Sequence, residues 1–341
     1  MKQRGFRYCS TCSTKLQKRG LTAAGTQRWL CIVCSKSGIK PRTDLSQAFV
    51  LERFVTWLMG KQSQAELSGT TERTWRSQTA WCWGIVPPQT RSGEIHDVVI
   101  LDGIRIGGLV CLIARTPQYV IAWHWAPYES SITWSELFDQ LPAPGFVVCD
   151  GQKGILLGLK RSWPTTLIQR CHFHVWQNVR AKLTLHPQTE AGQELLRLTR
   201  GLWQVYSAEH MTAWQACFKL WEETYGDFVR QRTYHQDQRA GRRRWWYTHG
   251  RLRSAYHQLR KLQEDNQLFA YVHHPEVNIP RNTNHMEGGI NSQLRTKLKL
   301  HRGMSEEHQR RLVEWYLYTR AEYPKPPRNC LYLQNPNKAS G

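Results

Sequence analysis

The chain has 341 residues, enough for two or three folded units, and 40% of them are apolar, which excludes a disordered tail. Its 47 lysines and arginines outnumber its 26 aspartates and glutamates, giving a formal net charge of +21. A surface this basic binds anions, and nucleic acid is the commonest polyanion; a ribosome-associated or membrane-surface protein is the alternative on charge alone.

The start of the chain has no apolar run of the kind found in a secretory signal peptide, since residues 1–7 lead directly into cysteines. The most apolar stretch, residues 98–114, contains Asp102 and Arg105, so we expect no membrane-spanning helix. In a cytoplasmic protein, the ten cysteines are expected to be reduced or metal-bound rather than paired in disulfides.

Four cysteines near the start form two close pairs, Cys9 with Cys12 and Cys31 with Cys34. Eighteen residues separate the pairs, a spacing typical of a four-thiolate zinc ribbon, in which each pair offers two sulfurs to a tetrahedral Zn²⁺. The intervening residues are mostly polar and basic, so metal binding would supply the folding energy that an apolar core cannot. The alternative is four free, buried cysteines. We predict a zinc ribbon over residues 1–42.

Residues 45–80 repeat apolar side chains near helical spacing. Two short helical segments within them flank Gly69, and two helices around a glycine-containing turn are the layout of a helix-turn-helix. This pattern predicts a DNA-binding domain over residues 43–86. Its recognition helix would carry Thr71, Arg73 and Arg76. The alternative is one of the many helical hairpins that never contact DNA.

After Pro87 and Pro88 the pattern changes to alternating buried strands and helices. We predict three strands, a helix, a strand, a helix and a strand, at residues 98–101, 109–113, 118–125, 130–141, 146–149, 154–163 and 165–169. This is the opening order of an RNase H-like α/β domain.

The rest of the chain reads as mainly helical from about residue 175 to 275, with a further helix over residues 283–299. The predicted domains are an RNase H-like catalytic core over residues 87–175 and 276–322, an all-helical insertion over residues 176–275, and a C-terminal coil over residues 323–341.

Two aspartates follow predicted strands: Asp102 after residues 98–101, and Asp150 after residues 146–149. If these strands are neighbours, the two carboxylates repel each other and favour a divalent cation with oxygen ligands. Two such metals, with a third carboxylate, can activate a nucleophile and stabilise the leaving oxygen in phosphodiester cleavage. Each aspartate precedes a glycine, so the alternative is that the Asp-Gly dipeptide forms a hairpin turn. This alternative is weaker for Asp150, because a helical segment rather than a second strand follows it.

Two further features remain open from their patterns alone. Glu287 would lie in the first turns of a helix capped by Thr283 or Asn284, and an ordinary solvated or capping glutamate is the alternative. In the predicted insertion, arginines lie beside tryptophans in the sequence, a pattern that suits DNA binding through phosphate contacts and base stacking. The alternative is that the tryptophans belong to the core and only the arginines face outwards. These residues are Arg242, Arg243, Arg244, Trp245 and Trp246.

Four short motifs, taken in order, resemble the signature series of the Mutator-like DDE transposases. They are Leu101-Asp102-Gly103, Val148-Cys149-Asp150-Gly151, Cys171-His172-Phe173-His174 and Thr283-Asn284-His285-Met286-Glu287. More narrowly, the chain is similar to bacterial insertion-sequence transposases with an N-terminal zinc ribbon and helix-turn-helix. The resemblance runs from Cys9 to about Tyr318, nearly the whole chain.

The resemblance implies that Asp102, Asp150 and Glu287 form a triad that binds Mg²⁺ or Mn²⁺, with an all-helical insertion between the last two. It places Cys171 and His174 near the active site, without assigning them a chemical role.

The resemblance also implies a bacterial, cytoplasmic transposase that associates with the nucleoid when bound to DNA. It would bind the terminal inverted repeats of a transposon, cleave the ends and join them to target DNA, as a dimer or higher oligomer because two ends must meet. The alternatives are an inactive or domesticated DNA-binding regulator and another RNase H-like nuclease.

Overall fold

The structure is a computed structural model that describes residues 8–9, 12, 14–23, 25–39, 47–89, 93–234, 245–283 and 289–331. The chain divides into two compact units, one formed by Met1–Pro87 with Lys325–Gly341 and the other by Pro88–Pro324. Both units contain strands and helices, and the fold is mixed α/β.

The first three strands form a small antiparallel sheet in chain order. They are β1 (Gln17–Leu21), β2 (Gln27–Leu30) and β3 (Ser37–Ile39). Every residue of β1 and β3 is exposed, and of the residues described before position 40 only Cys9 and Cys31 are buried. Apolar burial therefore contributes little to the stability of this sheet.

Three helices follow: α1 (Gln47–Met59), α2 (Gln64–Ser68) and α3 (Glu72–Thr79). A capping box of Ser63 and Glu66 begins α2, and Gly69 ends it in the left-handed conformation, at φ 64°, which glycine adopts without steric cost. Thr71 accepts a hydrogen bond from the Thr74 N–H and so caps α3. The two short helices lie where the sequence predicts them, but Thr71 is the N-cap of α3 rather than a residue within it.

The C-terminal residues belong to the same unit as α1. A 3-10 helix at Pro327–Asn329 packs against α1, Arg328 forms an ion pair of 3.4 Å with Glu52, and Cys330 is buried. The segment predicted as coil therefore contains a short helix that is anchored to the N-terminal unit.

The larger unit is built on a five-stranded mixed sheet with the order β6-β5-β4-β7-β8. Its strands are β4 (Val98–Ile106), β5 (Leu109–Arg115), β6 (Val120–Ala126), β7 (Phe146–Cys149) and β8 (Leu167–Arg170). The pairs β4–β5 and β5–β6 are antiparallel, whereas β4–β7 and β7–β8 are parallel. Helix α4 (Ser131–Phe138) connects β6 to β7, and α5 (Lys153–Ser162) connects β7 to β8. The order of these seven elements is the predicted one.

Alternate residues of β4 face opposite sides of the sheet, as the period of a strand requires. Val99 and Leu101 pack with side chains of α4 and α5 in one core, while Val98 and Ile100 belong to a separate core. Asp102 continues the series of Val98 and Ile100, so its side chain lies on the face of the sheet opposite α4 and α5.

A mainly helical region follows the sheet. Its helices are α6 (His172–Leu183), α7 (Glu190–Gly201), α8 (Ala208–Arg230), α9 (Gly250–Glu264) and α10 (Ala270–His273). Between α8 and α9, the strands β9 (Arg232–Tyr234) and β10 (Trp245–Tyr247) pair antiparallel. The sequence predicts an all-helical region because strands of three residues are too short to show a periodic pattern.

Two helices complete the larger unit, α11 (Ile290–Leu300) and α12 (Glu306–Tyr318). The sequence predicts a helix from Thr283, but Thr283 is not helical and Gly289 is the N-cap of α11. The Thr283 N–H donates to Sγ of Cys171. Within the described ranges, no helix combines the length and apolarity needed to cross a lipid bilayer.

Candidate active site

The two aspartates lie side by side in the sheet. Strands β4 and β7 are parallel, with Val98 opposite Phe146 and Ile100 opposite Val148. The same offset, continued by two residues, places Asp102 of β4 level with Asp150, directly after β7. The structure therefore brings together the first two predicted carboxylates.

Asp102 does not lie at the end of a strand, which corrects the prediction from the sequence. Strand β4 continues to Ile106, and Asp102 pairs with Ile113 in the middle of the β4–β5 ladder. The strands turn at Gly107 and Gly108 instead. The hairpin-turn interpretation of the Asp102-Gly103 dipeptide is therefore wrong.

Asp150 lies at a junction between a strand and a helix, and its side chain shapes that junction. Its Oδ1 accepts a hydrogen bond of 2.9 Å from the N–H of Gln152, the N-cap of α5. Gly151 has φ 72°, and a Cβ at this position would stand 1.8 Å from Cζ of Arg170. Arg170, which is buried, also donates through Nη2 to the main-chain oxygen of Asp150 at 2.6 Å. The turn thus requires a glycine, and Arg170 holds it.

The environment of Asp102 disfavours a bare negative charge. Burial and the nearby charge of Asp150 raise the pKa of Asp102 to about 6, although His174, the Gly103 N–H and Arg115 act in the opposite direction. Two carboxylates in this arrangement repel each other, and a cation bound between them would remove the repulsion. The oxygen donors suit a hard divalent ion.

A third acidic side chain, Glu129, lies beside these two and was missed from the sequence. It lies in the loop between β6 and α4, outside any motif. A Cβ on Gly103 would stand 2.6 Å from its Oε1, so the carboxylate covers that glycine. Burial, Asp150 and Asp102 all raise the pKa of Glu129. In the described part of the chain, only the four N-terminal cysteines bring three or more potential metal-ligand atoms within 4.8 Å of one another. The carboxylates of Asp102, Asp150 and Glu129 are therefore less closely grouped than a set of three metal ligands.

Helix α11 contributes a second residue that sequence reasoning missed. Asn291 donates through Nδ2 to Oδ2 of Asp102 at 2.8 Å and to the oxygen of Gly103 at 3.4 Å. Thr283 lines the same small cleft as Asp102 and Asn291. Glu287, the third predicted carboxylate, lies outside the described residues, between Thr283 and Asn291 in the sequence.

Cys171 and His174 lie beside the carboxylates. Cys171, at the N-cap of α6, is fully buried, and its N–H donates to the oxygen of Cys149 at 2.8 Å. Burial acts to raise the pKa of the Cys171 thiol, but the hydrogen bond and charge of His174 lower it overall. Burial acts to lower the pKa of His174, but Cys171, Asp102 and Asp150 raise it overall.

The four N-terminal cysteines form a compact cluster, in which the sulfurs all lie within 4.8 Å of one another. The Sγ atoms of Cys12 and Cys31 are 3.3 Å apart, and those of Cys9 and Cys34 are 3.5 Å apart. Four thiolates at such separations fit a tetrahedral Zn²⁺ site. The cluster contains Cys9 and Cys31, which are the buried residues among those described before position 40, so bound metal would stabilise the fold there.

The described members of the predicted DNA-contacting set lie on α3 and on β10. On α3, Arg73 and Arg76 are exposed, and Arg76 forms an ion pair of 3.4 Å with Glu72. Arginines 242–244 lie outside the described residues.

In the β9–β10 hairpin, the Arg232 guanidinium covers the ring of Trp245 at 4.1 Å, and the Arg253 guanidinium covers the ring of Tyr247 at 4.0 Å. Trp246 is 44% exposed, so the interpretation of both tryptophans as core is wrong for Trp246. Trp245 is half-buried.

Comparison with known proteins shows which family this chain is similar to. Residues 116–240 match the model of a family described as "Transposase, Mutator family". The chain is 25% identical over 150 residues to the transposase for insertion sequence element IS1201 of Lactobacillus helveticus, a match that covers 42% of this chain and 38% of the relative. It is 27% identical over 136 residues to the transposase for insertion sequence element IS6120 of Mycolicibacterium smegmatis, a match that covers 38% of this chain and 37% of the relative.

The chain resembles the Mutator-family transposases of insertion sequences. The resemblance stated from the motifs is therefore confirmed. The chain spans less than two fifths of the length of these curated relatives. The family match includes Asp150, Cys171 and His174, whereas Asp102, Glu287 and the four cysteines lie outside it.

Proposed function

We propose that the chain is a DNA transposase, a metal-dependent nuclease and strand transferase that acts on the ends of a mobile element. One observation carries the proposal: Asp102 on β4 lies level with Asp150, directly after the adjacent parallel strand β7, in a chain similar to Mutator-family transposases. Two such carboxylates suit Mg²⁺ or Mn²⁺, the ions used in phosphodiester chemistry.

The catalytic core is proposed to be RNase H-like and to comprise residues 87–175 and 276–322, with residues 176–275 as the insertion. The sheet supports this assignment, because β4, β5 and β6 form an antiparallel meander while β7 and β8 extend the sheet in parallel on the other side of β4. Carboxylates on β4 and directly after β7 then meet at its centre.

Glu287 is proposed as the third carboxylate. It lies four residues after Thr283 and four residues before Asn291, and both of these line the cleft at Asp102. A chain of four residues extends at most about 14 Å, which limits how far Glu287 can lie from either of them. Glu129 is the competing candidate, because its carboxylate already covers Gly103.

In the proposed reaction, hydrolysis at the element end frees a 3′-hydroxyl, which then attacks a phosphodiester of target DNA. Bound metal ions supply activation of the attacking oxygen and neutralisation of the leaving oxygen. Asp102, Asp150 and Glu287 would hold them. Asn291 fixes the orientation of the Asp102 carboxylate, and Arg170 fixes the turn that carries Asp150.

The N-terminal unit is proposed to bind the terminal inverted repeats. The four cysteines would hold Zn²⁺, residues 43–86 would form a helix-turn-helix, and α3 would present Arg73 and Arg76 to DNA. Arginines 242–244 and Trp246 offer phosphate contacts and base stacking. Two ends must be joined, so the working form is proposed to be a dimer or larger assembly.

The decisive experiment is Mg²⁺-dependent cleavage of a labelled duplex carrying the end of the chain's own element. Wild type should nick at the element boundary, whereas Asp150→Asn and Glu287→Gln should bind the duplex without cutting. Equal cutting by Glu287→Gln and wild type would remove Glu287 from the triad, and loss of cutting in Glu129→Gln would then assign the third position to Glu129. Binding without cutting by wild type, under conditions where a known transposase is active, would favour an inactive DNA-binding relative.

A further inference from the structure

The Cys171–His174 motif has no role in the proposed reaction, but its surroundings indicate one. Cys171 occupies the N-cap of α6, a position where Ser, Thr, Asp or Asn usually accepts a hydrogen bond from its own helix. The sulfur also accepts a hydrogen bond of 3.3 Å from the N–H of Thr283, a residue 112 positions away.

Thr283 is held on both sides of its main chain. Its N–H donates to Sγ of Cys171, and its carbonyl oxygen accepts a hydrogen bond from Nη2 of Arg115 on β5. The Thr283 hydroxyl also lies 3.6 Å from Sγ. Cys171 is fully buried, Thr283 is 2% exposed and Arg115 is 7% exposed, so no solvent competes for these bonds.

The two residues before Thr283 are fixed by the same helix. The N–H of His172 donates to the oxygen of Arg281 at 2.9 Å, and the N–H of Phe173 donates to Oδ1 of Asn282 at 3.2 Å. These donors belong to the first turn of α6, whose N–H groups have no partner within the helix. The start of α6 therefore binds three consecutive residues, 281–283.

We propose that Cys171 is a positioning residue whose sulfur fixes the main chain at Thr283, and thereby sets where the chain enters the segment that carries Glu287. The inference rests on the proposed function only for its catalytic consequence. Burial acts to raise the pKa of the Cys171 thiol, and the hydrogen bond and charge of the neighbouring His174 lower it overall. Neither side chain needs to contact DNA for this role.

The test compares three variants with wild type in two measurements. Cys171→Ala removes the acceptor, Cys171→Ser keeps a smaller acceptor, and Cys111→Ala truncates another fully buried cysteine, on β5. The first measurement is amide hydrogen exchange of the peptide that contains residues 281–283. The second is the kcat and KM of Mg²⁺-dependent end cleavage.

We expect Cys171→Ala to speed exchange at the Thr283 amide by about five- to tenfold, the ratio for loss of one ordinary hydrogen bond. Its kcat should fall by about 10–100-fold, the usual effect of removing a residue that orients a metal ligand, with KM for DNA unchanged. Cys171→Ser should recover most of both losses, and Cys111→Ala should match wild type.

Unchanged exchange in Cys171→Ala would overturn the inference, and so would faster exchange with unchanged kcat. If Cys171→Ala does not fold, Cys171→Ser decides. Wild-type exchange and wild-type kcat in Cys171→Ser support the inference, because the serine hydroxyl keeps an acceptor for the Thr283 N–H. Loss of activity without faster exchange contradicts the inference. A wild-type chain that cuts no end DNA, together with faster exchange in Cys171→Ala, would overturn the proposed function and leave the Thr283 anchor standing.

Discussion

Asn291 on α11 donates a hydrogen bond of 2.8 Å to Oδ2 of Asp102 on β4, across 189 positions of sequence. The bond leaves the other carboxylate oxygen, Oδ1, in contact with the Gly103 N–H at 3.0 Å. Both oxygens of Asp102 are thus oriented by neighbours before any metal binds, which lowers the cost of ordering them later.

Replacing Asn291 should therefore weaken metal-dependent chemistry without preventing folding. We expect Asn291→Ala to lower end cleavage by about 10–100-fold at low Mg²⁺, with partial recovery at high Mg²⁺, because a disordered ligand binds metal less tightly. Ser292→Ala is the matched control, since Ser292 is exposed and adjacent on the same helix. A Mg²⁺ titration of both variants checks this, and identical titrations would contradict the role assigned to Asn291.

The raised pKa of Asp102 predicts how stability depends on pH in the metal-free protein. Its folded pKa of about 6 lies above that of an unfolded aspartate, so the unfolded chain releases this proton at a lower pH than the folded protein does. The free energy of unfolding therefore falls as pH rises from about 4 to 6. Asp102→Asn cannot ionise. In EDTA, it should be more stable than wild type at pH 7 and lose that advantage near pH 4.

Urea unfolding at several pH values measures this difference. Asp139→Asn serves as the control, because Asp139 is an exposed aspartate remote from Asp102 in the sequence. Added Mg²⁺ should stabilise wild type and not Asp102→Asn. A difference between the two proteins that is independent of pH would show that the ionisation of Asp102 does not affect folding.

Gly151 should be intolerant of any side chain. Its φ of 72° opposes alanine, and so does the Arg170 guanidinium, whose Cζ would lie 1.8 Å from the alanine Cβ. The backbone strain alone costs about 1–3 kcal/mol, and displacement of Arg170 adds to it. Gly151→Ala should unfold at lower urea than Gly250→Ala, because Gly250 begins α9 with open space around its Cα. Similar unfolding midpoints would contradict the packing of Arg170 described above.

Zinc should be necessary for the small N-terminal sheet. We expect wild type to carry bound Zn²⁺ and to bind end DNA. Cys34→Ser should lose both the Zn²⁺ and the affinity for end DNA, whereas Cys217→Ser should retain both. Cys217 is an exposed cysteine on α8, which makes it a suitable control. Elemental analysis and gel-shift titration provide the measurements. A metal-free wild type that binds DNA normally would exclude the predicted zinc site.

The sequence predicts most of the elements around the carboxylates, because each is long enough to show a period or is bounded by clear signals. Buried runs such as residues 98–101 and 146–149 indicate strands, and the glycine at position 69 marks a helix end. The true end of β4 was missed because Asp102 and Gly103 are unusual inside a strand, and β4 tolerates them where Glu129 covers the glycine.

Long-range contacts are the part that the sequence could not supply. Asn291, Arg115 and Arg170 reach the site through side chains whose partners lie 20 to 189 positions away, and no local pattern encodes such distances. The motif Cys171-x-x-His174 could be recognised by resemblance, but its contact with Thr283 depends on how the start of α6 meets a distant segment.

The N-terminal unit is discontinuous in sequence, since the 3-10 helix at Pro327–Asn329 packs on α1 while residues 88–324 form the other unit. During synthesis, α1 therefore emerges from the ribosome long before its partner exists. The surface of α1 that this partner covers stays open until residues 327–329 have been made. Removal of residues 327–329 would consequently expose that surface of α1, although the deletion lies far from α1 in the sequence.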